Sequence, residues 1–411
     1  MTVEAMVEPE SGAIGVDRLL AAGPDARWAQ HATRFGALDA AAAAPTLLAE
    51  LEASGLGGRG GAGFAAWRKL AATLEAGRRP GARPVVIANG SEGEPLSHKD
   101  ATLLRHAPHL VIDGLLAAAA AVGASDAYLY AAEPGLEAVR AAAAERADAA
   151  RIRFVAAPDA FIAGQATAVV NAIENGVALP RDHTRRLSES GLRGRPTLLH
   201  NVETLAQLAL VARYGAAWFR AVGTADDPGT RLVTIAGDVA LPQVLEVAGG
   251  TRIAEVLRAA GADTSRLAAV LVGGYHGAWL PADALDAPLS PAGLAPFGAH
   301  PGAGVLLALD RTRCGVEATA GIVSYLAAQS ARQCGPCRFG LPALAETWNR
   351  LAYASHDSGL AARAWELTDT VDGRGACAHP DGTARMVRSA QRVFADDLRL
   401  HAHGGCARAA R

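Results

Sequence analysis

Apolar and polar positions change their rhythm three times along the chain. Up to residue 45 no period is sustained, which predicts an irregular N-terminal arm with short helices over 1–45. From Thr46 short apolar runs alternate with longer amphipathic stretches. Arg83–Asn89 (RPVVIAN), Asp126–Ala131 (DAYLYA) and Arg151–Ala156 (RIRFVA) read as short buried strands. Lys99–His106, Pro108–Val122 and Leu136–Ala149 read as helices, and Pro108 suits a first turn, where its missing N–H costs nothing. Strands alternating with helices predict an α/β domain with a mostly parallel sheet over residues 46–229. Its loops near residues 55–64, 89–99 and 161–168 are candidates for the lining of one crevice.

The rhythm shifts again near residue 230. Arg231–Gly237, Gln243–Val247 and Ala268–Gly273 are short strands around one helix, Ile253–Ala260, which predicts a small α+β domain with a ubiquitin-like roll over 230–300. Residues 315–400 carry no strand signal and several amphipathic stretches, so 301–411 is expected to be a helical bundle. The chain has no internal repeat.

Composition narrows the classes. The 411 residues carry a formal net charge of −2, which gives no support for nucleic-acid binding. The apolar half of the composition is rich in alanine, as in Leu116–Val122, and no run reaches the ~20 strongly apolar residues of a membrane span. The acidic start, MTVEAMVEPESG, lacks a basic region followed by an apolar run, so a cytoplasmic protein is expected. Five cysteines, four of them beyond residue 330, argue for metal or redox use rather than a disulfide framework.

The sharpest local feature is Gly55–Phe64, GLGGRGGAGF, which opens into the helical stretch Ala65–Leu74. Gly58, Gly60, Gly61 and Gly63 let backbone approach a ligand, and N–H groups beside a helix start make a phosphate cradle. Arg59 and Lys69 are candidate charged contacts. The segment before the glycines, Thr46–Ala53, reads as helix, so the strand–turn–helix context of a dinucleotide fingerprint is missing. Asn89–Pro95, NGSEGEP, follows the first strand. Asn89 offers an amide suited to the edge of a flavin ring, and Glu92 and Glu94 offer acceptors for ribityl or ribose hydroxyls; taken alone, the segment reads better as a solvated acidic turn. Phe161–Ala168 (FIAGQATA) and Arg195–Ala206 (RPTLLHNVETLA) are weaker, and Asn201 and Thr204 of the latter are placed to cap a helix or contact a ligand. Gln333–Arg338 (QCGPCR) sets Cys334 and Cys337 in a C-x-x-C, with Cys377 forty residues on as a third candidate ligand for iron–sulfur or another metal. A redox-active dithiol is the competing reading, although it usually requires a βαβ context. Cys314 reads as a small packed residue at a helix start, and Cys406, in HAHGGCARAAR, as part of a loose tail.

Taken in order, these segments resemble the NADH-binding flavoprotein subunit of respiratory complex I and the related flavoprotein subunits of NAD-linked hydrogenases and formate dehydrogenases. The resemblance runs from about Thr46 to about Ser389. That family's glycine loop, G-L-R-G-R-G-G-A-G-F, differs here only at Gly57. Its N-x-D-E-x-E-P loop reads here as NGSEGEP, its P-T-x-x-N-N-V-E-T-L-A segment as Pro196–Ala206 with His200 for the first Asn, and its G-G-x-S-G turn as Gly273–Gly277. The resemblance implies an FMN-binding α/β domain (46–229), a β-grasp soluble ligand-binding domain (230–300) and a helical iron–sulfur domain (301–411). It implies a flavin site at Gly58, Arg59, Gly60, Gly61, Gly63, Lys69, Asn89, Ser91, Glu92, Gly164, Gln165, Asn201 and Thr204. It also implies a 4Fe–4S cluster on Cys334, Cys337 and Cys377, and a ferredoxin-like or other redox partner subunit.

Three departures bear on function. The family's C-x-x-C-x-x-C begins here with Ala331, so three of four thiolates remain and the cluster is expected to be atypical. Gln165 and Ala166 replace a Glu–Glu pair beside the flavin and the nicotinamide nucleotide, and Ser91 replaces an Asp. Loss of those carboxylates raises the flavin potential and removes acceptors for nucleotide hydroxyls, so FMN binding is expected more firmly than NAD(H) use. The expected function is electron transfer between a nicotinamide nucleotide or ferredoxin and an iron–sulfur cluster through FMN. The alternatives are a scaffold or assembly paralogue that has lost NADH oxidation and, more weakly, a quinone- or metal-linked reductase.

Overall fold

The computed structural model describes residues 16–24, 27–181, 185–353 and 357–406, so the first fifteen residues of the expected arm lie outside the described residues. The chain divides into two compact units. One holds the described residues up to Val233 together with Val244–Gly250, and the other holds Thr234–Gln243 and the residues from Thr251 onward.

In the first unit, strands β1 (Val85–Gly90), β2 (Asp126–Ala131), β3 (Ile152–Ala156) and β4 (Thr197–Asn201) form a parallel sheet in the order β3-β2-β1-β4. One face buries Val85, Ile87, Tyr128, Tyr130 and Leu199 with Val169 and Val170 of the helix Ala166–Asn175. The expected helices Lys99–His106 and Pro108–Val122 are present with those bounds, and Gly123, left-handed, ends the second. The expected helix Leu136–Ala149 is instead Glu133–Ala144 followed by a tight turn, Ala147–Arg151, because Pro134 is accommodated in the first helical turn. The helix before the glycine loop starts earlier than expected, at Ala40, where the Asp39 carboxylate accepts from the N–H groups of Ala41 and Ala42, and it ends at Ser54 before left-handed Gly55. The arm is anchored: Arg18 donates to the carbonyls of Phe219 and Trp218, and the Glu246 carboxylate accepts from the N–H groups of Arg18 and Leu19.

Strand order fixes the functional edge. The chain lays β1, β2 and β3 outward in one direction, then returns to place β4 on the opposite side of β1. The sheet therefore reverses direction between β1 and β4, and the carboxyl ends of those two strands, at Asn89 and Asn201, are the place where such sheets leave a ligand crevice.

A second sheet comprises β5 (Thr230–Gly237), β6 (Gln243–Ala248), β7 (Leu267–Val272), β8 (Ala278–Pro281) and β9 (Val305–Asp310), in the order β6-β5-β9-β7-β8. β9 runs parallel to β5 and antiparallel to β7. The strand rhythm missed β4 of the first sheet, which lies in the segment read as a loop opening a helix, and β8 and β9 of the second. β8 is only four residues long, and β9 (VLLALD) is a continuous apolar run, a pattern that does not separate strand from buried helix. β9 falls within 301–411, which the rhythm assigned to helices; beyond it the described residues are helical, from Gly315–Ala328 to Ala395–Ala402. Among the described residues no helix is long and apolar enough to cross a membrane.

Candidate flavin and iron–sulfur sites

The glycine loop closes on itself. Gly57 pairs with Ala65 as an antiparallel bridge, the Gly58 N–H donates to the Phe64 carbonyl at 2.9 Å, and the helix Ala66–Gly77 follows at once. At the tip, Gly61 and Gly63 hold φ of 104° and 63°, and a side chain at either would enter open space. At Gly60 there is no such room: a Cβ would stand 2.9 Å from Cβ of Asn201. The loop thus lies directly against the end of β4.

The other three segments meet at the same place. Asn89 Nδ2 donates to the Gly164 carbonyl at 2.9 Å, and Asn89 Oδ1 accepts from the Ser91 N–H. A Cβ on Gly164 would lie 2.9 Å from the Ser91 carbonyl oxygen. Asn201 caps the helix Val202–Arg220 by accepting from the Glu203 N–H, while its Nδ2 donates to Asp100 at 2.6 Å. The structure therefore gathers the loops around Gly60, Asn89, Gly164 and Asn201 at the reversal between β1 and β4.

Several residues in these loops hold the loops rather than face outward. The Arg59 guanidinium, expected as a charged ligand contact, is buried and bound to Asp227 and to the carbonyls of Pro228 and Thr230. The backbone N–H of Arg59 donates to Thr204 Oγ1 at 2.9 Å, so Thr204, also buried, braces the loop. The Glu92 carboxylate accepts from Ser97 Oγ and from the N–H groups of Asp100 and Ala101, which makes it the cap of the helix Lys99–His106. Gln165 Oε1 accepts from the N–H groups of Thr167 and Ala168 and caps the helix Ala166–Asn175. Lys69 donates to the Leu199 carbonyl at 3.3 Å, and burial lowers its pKa.

Two features were not read from the sequence. The first is a buried charge cluster: Lys99 Nζ lies 2.7 Å from Asp100 and 2.8 Å from Glu203. Burial by itself would lower the Lys99 pKa, but Asp100, Glu203 and Glu92 hold it above its ordinary value. Burial, with Glu92 nearby, pushes Asp100 up to about 7 despite the adjacent ammonium. The signal was present in SHKD, directly after the acidic loop, where a charged pair opens a helix. The second is His200. Burial and then the Lys69 charge push it down to about 3, so it is neutral, and its Nε2 has no hydrogen-bond partner among the described residues. A buried polar atom without a protein partner calls for an ordered water or a bound group to satisfy it.

In the second unit, Cys334 and Cys337 flank the start of a π-turn, Pro336–Gly340, that runs into the helix Leu341–Tyr353. Cys337 hydrogen-bonds to Cys334 and feels the charge of Cys377, which puts the third thiol near that pair. Burial pushes Cys337 up to about 12 and raises Cys377. Burial acts the same way on Cys334, but N–H groups of Ala376 and Cys337 overcome it and pull that thiol below its ordinary value. Three converging soft donors, two of them desolvated, fit a thiolate-bound metal group, which reverses the cost of ionising them. Cys314 and Cys406, read as a packed residue and a tail residue, instead converge with His401: the three ligand atoms lie within 4.8 Å of one another.

A parallel sheet with a glycine hairpin at its reversal, followed by a helical region with grouped thiols, defines a flavoprotein of the iron–sulfur electron-transfer class. Residues 51–210 match the model of the Nuo51 FMN-binding domain, and residues 317–401 match the NADH-ubiquinone oxidoreductase-F iron-sulfur binding region. The chain is 30% identical over 371 residues to the F subunit of NADH-quinone oxidoreductase from Mycobacterium bovis, covering 86% of this chain and 83% of that protein. It is 28% identical over 397 residues to the corresponding protein of Streptomyces coelicolor, covering 92% and 88%. Among solved structures, an NAD+-reducing [NiFe]-hydrogenase chain in the H2-reduced state superposes with a TM-score of 0.80 at 29% identity; the match covers 88% of this chain and 63% of that one. The chain belongs to the family of NADH-quinone oxidoreductase F subunits and carries both the FMN-binding and the iron–sulfur regions of that family.

Proposed function

We propose that this chain is the flavoprotein subunit of a larger redox assembly and passes electrons between a nicotinamide nucleotide and an iron–sulfur cluster through FMN. The observation that carries this reading is the meeting of four loops at the β1/β4 reversal, with open space before Gly61 and Gly63 and an unpartnered His200 Nε2 beside them. The N–H groups of the glycine tip and the start of the helix Ala66–Gly77 are suited to a phosphate, with Lys69 supplying positive charge. Asn89, Ser91, Gly164 and Asn201 supply the polar edge for the ring system. Arg59, Thr204, Glu92 and Gln165 act behind them as braces and caps. When bound, FMN supplies the exchange between two-electron and one-electron transfer; the protein supplies position and electrostatics.

Cys334, Cys337 and Cys377 are the residues that would hold the cluster, with the fourth iron position lacking a thiolate because residue 331 is alanine. The five-strand order β6-β5-β9-β7-β8, in which β5 and β9, the first and last of these strands along the chain, are parallel and adjacent, supports a β-grasp fold for the strand-bearing segment after residue 230. Domain divisions near residues 45, 230 and 300 accompany that reading. A cytoplasmic location and a ferredoxin-like partner subunit fit the same assignment.

Anaerobic purification, an absorption spectrum, and iron and flavin analysis test it. Bound flavin with iron supports the proposal; a colourless protein free of both supports a scaffold paralogue. That second reading draws on Ala331 and on the Gln165–Ala166 pair.

A further inference from the structure

We propose that Cys314, His401 and Cys406 form a zinc site at the C-terminal end of the helical region, built from residues other than the cluster cysteines. Cys314 caps the helix Gly315–Ala328, its Sγ accepting from the Glu317 N–H at 3.5 Å, a contact that stabilises a thiolate once a cation is present. Without a cation, burial pushes the Cys314 thiol up to about 12, a cost that a bound metal reverses. His401 closes the helix Ala395–Ala402 with its Nε2 3.2 Å from Cys314 Sγ. The independent observation is on the other side of the ring: His401 Nδ1 lies 3.0 Å from the Leu351 carbonyl. A carbonyl only accepts, so the proton sits on Nδ1 and the Nε2 lone pair faces the thiols. This is the outer-shell arrangement that fixes a metal-binding histidine in its ligating tautomer.

The chain then turns back to deliver the last ligand. The Gly404 N–H donates to the His401 carbonyl at 3.0 Å and the Gly405 N–H to the Leu400 carbonyl at 2.9 Å, with Gly404 at φ 77°. That turn brings Cys406 Sγ to within 4.8 Å of the other two ligand atoms. Zinc bonds of about 2.3 Å to sulfur and 2.0 Å to nitrogen place tetrahedral ligand atoms roughly 3.5–3.8 Å apart, so the three atoms reach one ion with small side-chain shifts. Two thiolates and an imidazole select zinc over magnesium or calcium, which require oxygen ligands. On binding, each thiol releases its proton to solvent and the fourth position takes water. Both cysteines lie outside the matched iron–sulfur region, 317–401, and His401 is its last residue. Its effect is to tie the C-terminal segment to the start of the helix Gly315–Ala328.

The test uses the reduced full-length chain stripped with a chelator and titrated with Zn²⁺, and separately with Co²⁺, whose thiolate charge-transfer band reports sulfur ligation. C334S/C337S removes competition from the cluster thiols; C406S, in the terminal segment, removes one ligand with least effect on folding. C334S/C337S is expected to bind one zinc with the cobalt–thiolate band, and C334S/C337S/C406S to bind it more than about tenfold more weakly with a diminished band. If C334S/C337S fails to fold, the stoichiometry decides: the wild type is expected to bind one more zinc than C406S. Equal zinc affinity with and without Cys406 in the C334S/C337S background, or equal zinc stoichiometry in C406S and wild type, overturns the proposal, as does a Cys314–Cys406 disulfide found by mass spectrometry in protein purified under reducing conditions.

Discussion

Lys99 Nζ stands 2.8 Å from a carboxylate oxygen of Glu203, with both side chains buried. Asp100 and Glu92 add two further carboxylates to the same ammonium, so one cation balances three acids beneath the proposed flavin site. Removing it leaves buried negative charge with no counterpart. Lys99→Met is therefore expected to destabilise the protein by about 3–5 kcal/mol. Urea denaturation monitored by circular dichroism measures this, and a loss below about 1 kcal/mol would mean that the cluster carries no net charge to balance.

Gly60 tests the loop geometry. A Cβ there meets Asn201 Cβ at 2.9 Å, so Gly60→Ala must push the glycine tip from the end of β4, at a cost of about 1–3 kcal/mol. Gly57→Ala is the control, because its Cβ would meet the Gly63 carbonyl oxygen at an ordinary 3.5 Å. FMN content per chain is expected to fall in the first variant and hold in the second. Equal flavin content in both would place the cofactor elsewhere.

Three of the sheet's four strands were legible because they are short apolar runs between helices, and the bounds of Asp126–Ala131, Lys99–His106 and Pro108–Val122 match; β4 (Thr197–Asn201) was not, because its segment reads as a loop that opens a helix. The sequence also carried the four loops, since each follows a strand or opens a helix. What it did not carry was the direction of each side chain within those loops. Arg59 reads as a ligand contact in a glycine loop, but Asp227, far along the chain, claims its guanidinium. Glu92 reads as an acceptor for a ligand, and the resemblance puts Gln165 in the flavin site, but each accepts from the free N–H groups of the helix that follows it. The grouping of Cys314 with His401 and Cys406 depends on the packing of two helices and a terminal turn, which no local spacing encodes.

Gln165 offers a conservative test of nicotinamide use. Its Oε1 accepts from the Thr167 N–H at 2.8 Å and the Ala168 N–H at 3.0 Å, and a glutamate carboxylate fills the same role at a helix start. Q165E/A166E therefore keeps the cap while adding two negative charges. The expected outcome is a lower flavin midpoint potential and a severalfold rise in NADH-dependent dye reduction. Rapid NADH oxidation by the wild type, unchanged in the variant, would show that the pair does not limit the reaction.

Stability should depend on pH through Glu246, which receives N–H donors from the arm at Arg18 and Leu19. Burial pushes its carboxyl from 4.5 up to about 7. Between those values the native state holds a proton that the unfolded chain releases, so its contribution is complete below pH 4.5 and is lost as pH rises through about 7. Glu246→Gln cannot titrate, and its unfolding free energy should be flatter across that window than that of the wild type. Identical pH slopes would mean that the carboxyl is ionised throughout.

The thiol group in the second unit gives the most discriminating prediction. Cys334, Cys337 and Cys377 converge, and residue 331 is alanine where a fourth thiolate would complete a four-cysteine set. Arg332, one residue on, holds a left-handed φ of 55°, a conformation that a non-glycine residue adopts only at a cost of about 1–2 kcal/mol. The backbone there is thus bent around Cys337, whose thiol receives a hydrogen bond from Arg332. A cluster with three protein thiolates has one iron bound by a weaker ligand, and that iron is the first to be lost on oxidation. Electron paramagnetic resonance of the oxidised protein is expected to show a three-iron signal, and Ala331→Cys is expected to convert it to a four-iron signal seen on reduction. Cys377→Ala should abolish both signals and lower iron content. A four-iron signal in the wild type that survives Cys377→Ala would remove Cys377 from the ligand set. An iron-free wild type, purified anaerobically, would show that the loss of the thiolate at 331 had emptied the site.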